Sequence, residues 1–68
     1  MSKRQLFVIE HRRSDVEGHP WRIRKLDGQF ESAEEAQAQI TNQILPNADP
    51  YWEFRVSELG KDGKVIVP

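Results

Sequence analysis

The sequence predicts a small α+β domain: one four-stranded sheet, mixed or antiparallel, with a single helix packed on one face, in the order β-β-α-β-β. Three observations lead there. Four short segments are continuously apolar or alternate with period two, one segment has helical periodicity behind a capping signal, and glycine- or proline-bearing breakers separate them. Sixty-eight residues make a single domain spanning the whole chain, residues 1–68.

Residues 5–11 (QLFVIEH) read as the first strand, with Leu6 and Val8 on one face and Phe7 and Ile9 on the other. Apolar side chains on both faces belong in the middle of a sheet. A polar loop, RRSDVEG, leads to Pro20 and a second strand over residues 21–26, where WRIRK alternates Trp21 and Ile23 with Arg22 and Arg24. The loop is longer than the usual two to five residues of a hairpin, and long loops are often functional.

After a turn at Asp27 and Gly28, the run SAEEAQAQITNQIL predicts the helix. Ser32 and Glu35 have capping-box spacing, in which the serine oxygen accepts from the amide three residues on. Ala33, Ala36, Ile40 and Ile44 recur at helical spacing, and Pro46 stops the run. PNADP breaks the chain before YWEFRVSEL, where Trp52, Phe54 and Val56 alternate with Glu53, Arg55 and Ser57 as a third strand. GKDGK then turns through Asp62 and Gly63 into a short fourth strand over residues 64–67.

The helix covers one face only. A crossover through it makes strands two and three parallel, with the first strand antiparallel between them and a sheet order of 2-1-3-4. Trp21, Ile23, Trp52, Phe54, Val56, Val65 and Val67 are then expected to face the helix, with one side of the first strand. Arg22, Arg24, Glu53 and Arg55 fall on the helix-free face, around whichever apolar pair of the first strand remains there. Their exposure follows from burial of their neighbours before any ligand is invoked, and pairing of the arginines with Glu53 is the simplest outcome.

Composition narrows the functional classes. No cysteine is present, so neither disulfides nor thiolate metal sites support the fold, and packing or association must do so. No apolar run approaches a membrane span or the core of a signal peptide, which leads us to expect a cytoplasmic protein without a membrane partner. Residues 1–25 hold seven Lys or Arg against three acids and residues 26–68 three against eight, an asymmetry that internal pairing absorbs when both halves fold together.

Chemistry-bearing patterns are sparse. His11 and His19 flank the loop near Glu10, Asp15 and Glu17, but their spacing matches no class of metal site. Ser14 beside Asp15 has the residue types of a nucleophile without a buried acid or an oxyanion hole. The four single glycines make turns, not a phosphate cradle. We therefore expect no enzyme, no cofactor and no metal.

On Trp21, on Glu35 with Ala36, and on Gly60, Lys61, Asp62, Gly63 and Lys64, the chain resembles a family of small bacterial domains of unknown function. The resemblance implies the sheet-plus-helix fold and no activity. The long first loop and PNADP depart from the pattern. The function expected from the sequence is a non-enzymatic protein-interaction module, such as a homodimer, a small regulator or a phage-type inhibitor of a host protein. It would act through the helix-free sheet face and the loop over residues 11–19, with Arg12, Arg13, Arg22, Arg24 and Arg55 binding the partner. The alternative is a nucleic-acid-binding domain using Arg12, Arg13, Arg22 and Arg24, against which stand the interspersed acids and the aromatics needed for the core.

Overall fold

A computed structural model describes residues 5–66. Its strands are β1 (Leu6–Arg13), β2 (Arg22–Ile23) and β3 (Trp52–Leu59), and its α-helix is α1 (Ala33–Gln39). The α+β class holds, but the described residues form a three-stranded sheet, antiparallel throughout, in the order β2-β1-β3. The doubly apolar first strand is the central one. It pairs with β3 along its whole length, from Leu6 opposite Leu59 to Arg13 opposite Trp52.

Among the described residues, the expected fourth strand is reduced to one bridge, Val65 opposite Leu59. The turn consumes the residues before it: Gly60 donates to Lys64 O (2.7 Å), Asp62 Oδ1 accepts from the Lys64 amide (3.1 Å), and Gly63 takes φ of 80°. Pairing can start only at Val65, and Val67 lies outside the described residues.

β2 is also shorter than the expected 21–26. Only Arg22 and Ile23 pair in register, opposite His11 and Glu10. The Arg24 amide donates to Ile9 O (2.8 Å), and Lys25–Asp27 then wind into a 3-10 turn closed by Gly28 at φ 70°. Arg24 Nη1 bonds both Asp27 carboxylate oxygens (2.7 and 2.8 Å), holding that turn, and Leu26 projects into solvent with 88% of its surface exposed. The chain regains the sheet at Phe30, whose amide and carbonyl both bond Phe7 at 2.8 Å.

The helix starts where the capping box places it, with Ser32 Oγ accepting from the Glu35 amide at 3.1 Å. It ends sooner than the run suggests. Ile40–Ile44 form a π-turn in which the Leu45 amide reaches back to Ile40 O, and a 3-10 turn over Leu45–Asn47 follows. Pro46 has no N–H to continue the ladder, so the backbone leaves α geometry before it. Ala36, Ile40 and Ile44 are buried on Ile9, with Phe30, Ala48, Phe54 and Val56 packed around them, whereas Ala33 is exposed.

Side-chain alternation in the observed register puts Phe7, Ile9, His11 and Arg13 on the helix side with Trp52, Phe54, Val56 and Glu58. Leu6, Val8, Glu10 and Arg12 share the opposite face with Glu53, Arg55, Ser57 and Leu59. β2 is inverted relative to expectation. Ile23 stands opposite Glu10 on the helix-free side, and Arg22 stands opposite His11 on the helix side. Trp21 and Ile23 are therefore not part of the core under the helix, and Val65, opposite Leu59, is not either.

Candidate interaction surface

The helix-free face carries a lattice of four charged side chains from the two long strands. Arg12 Nε donates to Glu53 Oε1 across the strands at 3.0 Å, and Arg55 Nε donates to Glu10 Oε1 at 2.8 Å. Ser57 Oγ donates to the same Glu10 oxygen. Glu10 is buried at 5% exposure, yet its charge is satisfied by a guanidinium and a hydroxyl. A buried carboxylate without such partners would be strongly unfavourable.

Trp21 lies over this lattice. The guanidinium carbons of Arg12 and Arg55 sit 4.7 and 4.3 Å from its ring centroid, within cation–π range. Each arginine thus holds a carboxylate and an aromatic face together. Both keep roughly two-fifths of their side-chain surface in solvent, as does Glu53. Beside them Val8 is only 3% exposed, with Ile23, Leu59, Gly28 and Gly63 lining the shallow groove above it. The apolar pair that remains on this face is Leu6 with Val8, but Val8 is covered and forms no open greasy strip.

A second cluster forms on the helix side, past the end of the helix. Arg13 clasps Asp15 through two bonds (2.9 and 2.6 Å) and lies 4.2 Å from the Tyr51 ring centroid. The Arg13 guanidinium holds the Asp15 carboxyl below its ordinary value, and a bond to Asp49 raises the Tyr51 hydroxyl above its own. Trp52 is stacked by His11 at 4.9 Å and met edge-on by His19 at 6.3 Å. His19 Nδ1 accepts from the Arg13 amide at 3.2 Å, which ties the loop to the end of β1. Burial, then the charges of Arg24 and His19, lower the His11 imidazole below its usual 6.5, with Asp27 opposing. Among the described residues, no three His, Asp or Glu side chains gather in a way that could hold a metal ion.

The five arginines expected to bind a partner are therefore divided. Arg12 and Arg55 share the helix-free face. Arg13 and Arg24 lie on the helix side, engaged with Asp15 and Asp27, and Arg22 is exposed on β2 opposite His11. Placing Arg22 and Arg24 on the helix-free face is thus corrected, because the 3-10 turn and the Arg24–Asp27 pair fix β2 the other way round. Arg12 and Arg13 belong to β1, not to the loop, which begins at Ser14.

Sequence reasoning missed Trp21, Glu10 and Ser57. The one available signal was the spacing of Arg24 and Asp27, three apart before a glycine, which favours a local ion-paired turn over a continuing strand. No described helix is long and apolar enough to cross a membrane. No family model, characterised protein or solved structure matches the chain.

Proposed function

We propose that the chain is a non-enzymatic protein-interaction module whose contact surface is the helix-free sheet face centred on Trp21. The observation that carries this reading is the half-buried Trp21 ring held against two solvent-reaching guanidiniums, Arg12 and Arg55. Tryptophan and arginine dominate the energetically important centres of protein interfaces, and a pre-ordered ring loses little freedom on binding. Glu53 and Glu10 hold the arginines in place, so the charged rim is set before a partner arrives. The same pairing speaks against phosphate binding, since the arginines proposed for it are mostly already opposed by carboxylates and split between two faces.

Capture from nuclease-treated lysate on immobilised wild-type chain and on a Trp21→Ala variant tests the reading. A protein partner should be retained by wild type, insensitive to nuclease, and lost by the variant, whose thermal unfolding stays close to wild type. Equal retention by both chains would contradict it. So would tight binding of labelled DNA or RNA that weakens steeply with salt, with a log-log slope of about −0.9 per phosphate neutralised on duplex DNA.

A further inference from the structure

The loop between β1 and β2 carries an inference separate from the Trp21 face. In β1 the odd-numbered residues turn their backbone groups away from β3 and toward the β2 side: Phe7 bonds Phe30, and Ile9 O accepts from the Arg24 amide (2.8 Å). Continuing the register of His11 opposite Arg22 sets Pro20 opposite Arg13. Proline has no N–H to donate, so the ladder ends there. The Arg13 amide instead donates to His19 Nδ1 (3.2 Å), and a side chain stands where a strand carbonyl would. Nδ1 accepts only while it carries no proton, which puts the ring hydrogen of the neutral imidazole on Nε2.

Little else holds this part of the loop. Ser14 is fixed twice to Tyr51 O, and Asp15 is clasped by Arg13. Within residues 16–20 the other hydrogen bond among the described residues is internal, from the His19 amide to Val16 O (3.2 Å), and Val16, Glu17 and Gly18 are exposed. Gly18 at φ 76° turns the chain back, so that the His19 ring meets both the Arg13 amide and, nearly perpendicular, the Trp52 ring. A short segment with one bond to its surroundings opens at low cost.

We propose that His19 is a proton-operated latch: neutral, it holds the loop over residues 16–20 against the end of β1, and protonated, it releases the loop and uncovers Trp52 and the Arg13 N–H. A proton on Nδ1 sets two donors against each other. The new charge also arises beside Arg12, Arg13 and His11 of β1, with Arg22 and Arg24 beyond His11. The acids on the same side do not offset it. Asp15, Glu53 and Asp27 are engaged by Arg13, Arg12 and Arg24, and Glu17 makes no ion pair with the ring among the described residues. Latching and protonation of Nδ1 exclude each other, so falling pH favours the open loop.

NMR of the nitrogen-15-labelled chain between about pH 7.5 and about pH 5, within the range where histidine changes charge, tests the latch. A nitrogen–nitrogen coupling across the bond from the Arg13 amide to His19 Nδ1 should be present at the upper pH and vanish as the His19 ring takes up its proton. Backbone order parameters of residues 16–19 should fall with it from about 0.85 to below about 0.6. Those of β1, β3 and α1 should stay near about 0.85, which separates release of the loop from unfolding. His19→Asn offers a carbonyl oxygen close to the position of Nδ1 that takes up no proton, and its loop should not respond to pH. A coupling absent at the upper pH, order parameters unchanged once His19 is protonated, or the wild-type pH response persisting in His19→Asn would each overturn the proposal.

Discussion

Glu10 lies between Ile9 and His11 on the central strand, buried, and its charge depends on two groups of β3, the Arg55 guanidinium and the Ser57 hydroxyl. Hydrogen bonds to a charged group contribute about 1.5–3 kcal/mol. Arg55→Ala leaves the carboxylate buried with one partner and should lower unfolding free energy by about that amount, whereas Arg12→Ala, whose partner Glu53 is half exposed, should cost about 0–1 kcal/mol. Urea denaturation of the two variants measures the difference. His11 gives a pH dependence with a definite sign. Its folded value is lowered beneath the unfolded 6.5, burial being the first cause, so the unfolded chain takes up the proton first as pH falls. Stability from this group is full above about pH 6.5 and is lost as pH falls from there toward the lowered folded value. His11→Phe keeps a ring on Trp52 and should flatten the fall in urea midpoint between about pH 7 and about pH 5; an unchanged slope would contradict the assignment.

Among the elements, the helix start and its buried stripe were the most legible in the sequence. Ser32→Ala removes the cap and should cost about 1 kcal/mol. Ile40→Ala opens a cavity against Ile9 and should cost about 2–5 kcal/mol, enough to unfold much of a domain this small, as calorimetry would show. β1 was equally plain from its two apolar faces, and so was its central place in the sheet. β2 was not. Alternation in WRIRK separates Trp21 and Ile23 from Arg22 and Arg24 but does not say which set faces the helix, and preference for burying tryptophan pointed the wrong way. What decides it is the Arg24–Asp27 clasp, whose three-residue spacing before a glycine was the one local signal, together with the arginine-lined seat for Trp21, a contact between segments that no local pattern encodes. Among the described residues the fourth strand keeps only the Val65 bridge, because the Gly60 to Lys64 turn holds Lys64, which looked free to pair.

For the molecule as a whole, the charge asymmetry between residues 1–25 and residues 26–68 is partly resolved internally. Arg12 with Glu53 and Arg24 with Asp27 each set a base of the first half against an acid of the second, whereas Arg55 with Glu10 joins the halves in the opposite sense. Individually such pairs contribute little when exposed. The Arg12–Glu53 and Arg55–Glu10 pairs hold their arginines around an aromatic ring on the face the helix leaves bare, and that arrangement underlies the proposed function. The most direct measurement is therefore the set of short-range NOE contacts of the Trp21 indole ring in solution. The ring should contact the side-chain methylenes of Arg12 and Arg55 and none of the methyl groups of Ala36, Ile40 or Ile44. Contacts from Trp21 to those helix methyls would place it in the core and contradict the account.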